Sequence, residues 1–197
     1  MPGPDHRFAT RWLVLGDPAE VFDLLADPSG WPQWWGSVHA SARTVKSGEP
    51  GGRAARVELV SGARLPVLLR TRVTVAALER PHSIELELHG DVRGHARWEI
   101  EPRGPYVAIT TECVVRGAGA LSATLGTLLA PLTRAEFGWA LHQGMLGLKL
   151  ELRRRHAVTA HERAMIPRLE AVAAREARPG APGALLEPLP EKSEPAR

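Results

Sequence analysis

Long apolar runs are missing from this chain. No stretch approaches the roughly 18 residues that a membrane-crossing helix needs, so a spanning helix is excluded. The opening MPGPDHRFAT holds no apolar segment of the kind that directs secretion, and a cytoplasmic location is expected. Cysteine is nearly absent. Cys113 stands alone, cannot form an internal disulfide, and within VAITTECVV reads as a buried, inert strand thiol. The compact signatures of catalysis and cofactor binding are missing too: no Gly-x-Ser-x-Gly elbow, phosphate loop, dinucleotide-binding glycine turn or His-Glu-x-x-His. His156 and His161 lie five apart, a poor spacing for one helix face, so no metal site is expected, and no cofactor.

Net charge is missing from most of the chain as well. Residues 1–148 hold 15 basic and 15 acidic side chains; residues 149–178 hold 8 and 4, and residues 179–197 hold 2 and 3. The basic excess therefore belongs to a C-terminal segment. A nucleic-acid reader would more often carry a basic surface with exposed aromatics, and no nucleic acid is expected as a partner. The run RRRH at 153–156 reads as a solvated helix end, with weak contact to an anionic surface through 149–178 as the lesser reading.

What the chain does have is tryptophan. It holds six, against three Phe and one Tyr, and Trp31, Trp34 and Trp35 fall in the eight residues WPQWWGSV. Around that step the pattern is clear. In RFATRWLVLG, Phe8, Thr10, Trp12 and Val14 share one side, with Arg7 and Arg11 on the other, as in a half-buried strand. GDPAEVFDLLAD follows as a helix with Asp17 as cap, Pro18 in the first turn and Glu20 closing a capping box. A short helical piece near 28–36 carries the tryptophans. Strands are then expected near 38–47, 53–61, 66–78, 82–90, 93–102 and 105–116, separated by Gly- and Pro-rich turns. Their period of two gives an antiparallel sheet with one wet and one dry face.

From Leu121 to about His156 the pattern becomes helical, with apolar residues at 125, 128, 132, 139, 146 and 150 and a break or kink expected at Pro131. A further helix is expected from Thr159 to about 178, with Pro167 inside it, and a disordered Pro/Gly-rich tail over 179–197.

The order strand, two short helices, six strands, long helix is that of the helix-grip fold. FATRWLVLGDPAEVFDLLADPSGWPQWW, LPVLLRTRVTV, GDVRGHARWEIEP and LLAPLTRAEFGWALHQGMLGLKL together resemble the SRPBCC superfamily, which includes START-like lipid carriers, polyketide cyclases and aromatases, and plant pathogenesis-related proteins. The resemblance implies an α+β fold: a seven-stranded antiparallel sheet wrapped around a long C-terminal helix, with two short helices closing one end. It implies a domain over 5–156; the residue pattern beyond it adds a helical extension over 157–178 and the tail over 179–197.

The resemblance also implies a cavity between sheet and helix. Its expected lining is Trp12, Trp35, Val73, Leu86, Trp98 and Ile109, joined from the helix by Trp139, His142 and Met145. Polar groups on the dry face are few: Thr10, Thr71, Thr111 and Cys113, with His142 added by the helix. His142 and Thr111 are the candidates for moving protons. Family helices commonly show Trp-Asn-His-Asp; here WALHQ keeps Trp139 in register and sets the histidine one place later, about 100° round the helix. The expected function is binding of a hydrophobic small molecule (lipid, aromatic or polyketide-like) as carrier or sensor. A polyketide cyclase or dehydratase using the same cavity is the alternative.

Overall fold

Alternating side chains along the sequence become seven strands. A computed structural model describes residues 5–49, 51–62, 68–117 and 130–168. β1 (His6–Leu15) leads into α1 (Pro18–Ala26) and α2 (Trp31–Trp34). Six strands follow: β2 (His39–Lys46), β3 (Arg56–Gly62), β4 (Leu68–Glu79), β5 (Ser83–Gly90), β6 (Val92–Arg103) and β7 (Tyr106–Gly117). Two further helices are described, α3 (Ala130–His156) and α4 (Ala160–Met165). The strands form one antiparallel sheet in the order β1-β7-β6-β5-β4-β3-β2, so the chain returns after β7 to pair with its own first strand.

The register lays the dry residues in rows across the strands. Thr10 stands opposite Thr111, Thr111 opposite Trp98, and Trp98 opposite Ile84. Beside that row run Phe8, Cys113, Ala96 and Leu86 on one side and Trp12, Ile109 and Ile100 on the other. Because successive strand residues point to opposite faces, these rows share one surface. α3 lies along it beside β1. Phe137 stacks on Phe8 with ring centroids 4.7 Å apart, and Leu152 reaches Gly16 just past the end of β1. Fifteen helical residues span about 22 Å and eight strand residues about 26 Å, so the two elements match in length.

α1 begins as its sequence requires: the Asp17 carboxylate accepts from the backbone N–H of Ala19 at 2.8 Å and of Glu20 at 3.2 Å. The expected capping box takes a different form. The Glu20 carboxylate bonds His156 Nε2 at 2.7 Å and ties the end of α3 to the start of α1. Arg154 and Arg155 both bond Glu151, so three residues of the basic run are engaged within the fold.

α3 presents a different face from the one expected. Leu141, Leu148 and Leu152 are buried, with Gly144 between them, whereas Trp139, Leu146 and Leu150 are only half-buried. Apolar residues occur on several sides of this helix, so their spacing alone does not select the side that packs. The helix expected from Thr159 is helical over Ala160–Met165 and has ended at Ile166, which is extended. Pro167 explains this, since the residue before a proline is pushed out of the helical region. The expectations for 121–129 and for 169–197 lie outside the described residues. No helix among the described residues is long and apolar enough to cross a membrane.

Candidate functional site

The tryptophan step closes one end of the sheet. Pro32 sits in the first turn of α2, and the Trp35 N–H returns to the Trp31 carbonyl at 2.6 Å. This tight turn buries Trp31, Trp34 and Trp35 together. Trp34 stacks on Trp35 at 5.4 Å, and Trp31 lies 5.8 Å from Trp35. Ring contacts join this group to the sheet: Trp35 meets Trp12 of β1 edge-on at 6.3 Å, and Trp31 meets Trp98 of β6 at 5.6 Å. Trp35 also holds the helix. Its Nε1–H donates to the Ala140 carbonyl at 2.9 Å, and its ring covers Gly144 so closely that a Cβ there would lie 2.6 Å away. Glycine at 144 is what lets the indole reach the helix backbone.

Of the expected lining residues, Trp12, Trp35, Val73, Leu86, Trp98 and Ile109 belong to one buried core. Trp139 and Met145 are half-buried and pack against it. His142 is half-buried, and Leu141 takes the inward position beside it. Thr111 is buried at the centre of its row. Three polar atoms on that row have no hydrogen-bond partner among the described residues: Thr10 Oγ1, Thr111 Oγ1 and Trp98 Nε1. They come from adjacent strands at matched positions. Cys113, one step along, is buried, and burial pushes its thiol up to about 12, so it stays protonated and unreactive.

Two buried polar residues escaped the sequence reading. Gln143 is fully buried on α3. His39, the first residue of β2, is also buried, with 9 % of its surface exposed. Its ring lies 4.8 Å from Trp35 and 5.4 Å from Trp31, and its Nδ1 is 2.9 Å from Ser61 Oγ on β3. A register shift between His39 and Ser41 puts an extra residue, Ala40, into the strand. Such a bulge reverses the alternation. His39 therefore faces inward with Ser61, although simple counting back from Ala42 would turn it out. Burial pushes the imidazole down to about 3, so it is neutral at physiological pH.

A cleft of about 460 Å³ lies elsewhere, between α1 and the β2–β3 turn, lined by Phe22, Asp23, Asp27, Gly51, Gly52 and Arg80 among others. None of the expected cavity residues lines it. Its arginine is already held, since Arg80 makes two 2.9 Å hydrogen bonds to Asp23. The cleft thus offers paired charge, whereas the inner row offers unpaired polar atoms.

The family model described as polyketide cyclase/dehydrase and lipid transport matches residues 6–153. The chain belongs to this family. The matched span runs from β1 almost to the end of α3 and so takes in both the tryptophan step and the inner row. No curated protein sequence matches significantly. Among solved structures, a Thermus thermophilus protein superposes with a TM-score of 0.63 at 18% identity, covering 78% of this chain and 100% of that one. The Zhui aromatase/cyclase from Streptomyces sp. R1128 gives a TM-score of 0.63 at 14% identity, with coverages of 80% and 99%. A START superfamily protein from Mycobacterium smegmatis gives 0.54 at 17% identity, covering 69% and 94%. At these identities the likeness establishes the helix-grip fold of this family member.

Proposed function

We propose that this family member binds a hydrophobic small molecule between the dry face of the sheet and α3, as a carrier or sensor. The observation that carries the reading is the row Thr10, Thr111 and Trp98. Buried polar atoms in folded proteins nearly always have partners, and leaving one unpaired costs about 1–3 kcal/mol. Three such atoms on adjacent strands suit an oxygen-bearing group on a guest molecule. The indole has only a donor to offer, while the threonine hydroxyls both donate and accept. The surrounding Trp12, Leu86, Ile109 and Met145 would meet the apolar part of that guest.

Binding without turnover is favoured over cyclase or dehydratase chemistry. Among the described residues, the buried ionisable groups are His39 and Cys113, and both are held neutral. General acid–base catalysis works best with a pKa near the working pH. His142, half-buried and turned from the inward arc, is not set against the row.

The test is titration with an uncharged dye whose emission depends on solvent polarity, such as Nile red. The expected result is a saturable blue shift at one site, together with a small molecule seen by native mass spectrometry in protein purified without denaturation. A folded protein that neither shifts the dye nor carries a guest would overturn the reading.

A further inference from the structure

We propose that His39 is the second polar anchor of this interior site, its Nε2 meeting a hydroxyl group on the bound molecule. The proposal rests on the binding function just given and names a group that the sequence did not single out. Three observations carry it. First, the imidazole is fixed. The His39 backbone N–H donates to the Trp35 carbonyl at 3.0 Å, Nδ1 bonds Ser61 Oγ at 2.9 Å, and the rings of Trp31 and Trp35 pack against it. Second, Nε2 is buried and has no partner among the described residues. Third, His39 and the polar row are two faces of one aromatic group. The Trp31 indole lies 5.4 Å from His39 and 5.6 Å from Trp98, whose Nε1–H is also unpaired.

The chemistry of the guest follows from the state of the ring. A neutral imidazole has one donor and one acceptor nitrogen. If Nδ1–H donates to Ser61, Nε2 accepts; if the Ser61 hydroxyl donates to Nδ1, Nε2–H donates. A hydroxyl satisfies either tautomer, because it both donates and accepts. A hydrocarbon satisfies neither and leaves the nitrogen buried and unpaired. The site should therefore select a neutral, hydroxyl-bearing aromatic frame over its hydrocarbon counterpart. The neighbouring indoles of Trp31 and Trp35 would offer stacking surface to both, and His39 would supply the discrimination.

Naphthol and methylnaphthalene form a matched pair of probes, nearly equal in size and differing in the hydroxyl. Their affinities are measured by quenching of the tryptophan emission, and the His39 ring nitrogens are followed by NMR of protein labelled with nitrogen-15 histidine. Naphthol should bind about tenfold tighter, as expected for one buried hydrogen bond gained, and should shift the Nε2 resonance where methylnaphthalene does not. In His39→Phe the preference should collapse towards equality. Equal affinities in the native protein, or a Nε2 signal indifferent to naphthol, would overturn the proposal while leaving the binding function standing. A preference that survives unchanged in His39→Phe would also overturn it and assign the hydroxyl to the Thr111 row. If neither probe binds, this proposal falls, and the dye titration and native mass spectrometry decide the binding function separately. Should His39→Phe not fold, the native protein's affinities and Nε2 shift decide the matter alone.

Discussion

The two faces of the sheet are made by the same strands and treat polar groups in opposite ways. On the outer face, charged side chains find each other. Arg43 and Arg72 both bond Glu58, Arg97 bonds Glu85 and Glu99, and Arg103 bonds Glu101. On the inner face, the hydroxyls of Thr10 and Thr111, the indole N–H of Trp98 and Nε2 of His39 are buried without partners among the described residues. Outside, water would satisfy these groups in any case, so the pairs add little. Inside, nothing replaces a missing partner, so each such atom weakens the empty fold. The contrast locates where stability has been given up, and function is the usual reason for that.

The strongest way to break the comparison is acid. His39 holds its pKa near 3 when folded, against 6.5 when free. Below about pH 6.5 the unfolded chain takes a proton that the folded chain refuses, so stability falls as pH falls, until the folded ring also protonates near pH 3. Between pH 7 and pH 4 this one group should remove about 3 kcal/mol, at 1.36 kcal/mol per pH unit over most of that range. Denaturant melts of the native protein and of His39→Phe at both pH values measure it. On going from pH 7 to pH 4 the native protein should lose about 3 kcal/mol more than His39→Phe does. Parallel curves would mean that the ring is wetter than its packing implies.

A second break comes at the contact between the tryptophan step and α3. Alanine at 144 would set its Cβ 2.6 Å from the Trp35 ring, which is pinned through Nε1 to Ala140. Overpacking of this kind costs about 1–3 kcal/mol. Alanine's better helix propensity returns up to about 1 kcal/mol. Gly144→Ala should therefore lose about 1–2 kcal/mol and shift the tryptophan emission. An unchanged spectrum with a more stable helix would show that the indole does not lie on the helix backbone.

The strand pattern was legible in the sequence because period-two alternation leaves a direct record of a one-sided sheet. The runs expected at 82–90 and 105–116 are Ser83–Gly90 and Tyr106–Gly117. The strand expected from 53 begins at Arg56, because Gly51, Gly52 and Ala54 adopt positive φ in a turn closed by Glu49 on Arg53. The burial of Trp12, Val73, Leu86, Trp98, Ile109 and Thr111 was legible for the same reason, while Trp35 was marked by the tryptophan cluster instead. The packed face of α3 was not, since apolar residues on several sides give the period nothing to choose. His39 was hidden by the bulge at Ala40, a register shift with no mark in residue type. Gln143 was hidden because only packing tells a buried amide from an exposed one.

Thr111→Val sharpens the comparison in the opposite direction. Valine keeps the shape of the side chain and removes a hydroxyl that is buried and unpaired. The free protein should gain about 1 kcal/mol, because the cost of desolvating that hydroxyl disappears. Affinity for an oxygen-bearing guest should drop at the same time. A melting curve and a titration with Nile red, whose carbonyl supplies the oxygen, check both halves on the same sample. A loss of stability would mean that the hydroxyl has a partner in the empty protein, and the row would then be ordinary packing.

The smallest effect belongs to the outer face, and Arg97 is the place to look for it. It neighbours Trp98 in β6 and points the other way, its guanidinium 3.1 Å from Glu85 and 3.2 Å from Glu99. All three side chains are about half exposed. Water and salt screen such pairs, and holding long side chains in place offsets much of the attraction. Arg97→Ala should move the melting temperature by no more than about one degree and leave dye and naphthol binding unchanged. One residue further along, the inner face has every contact described above at stake. If Arg97→Ala lowers the melting temperature by several degrees, or alters binding, then the two faces are coupled through the strand, and the division of labour between them fails at β6.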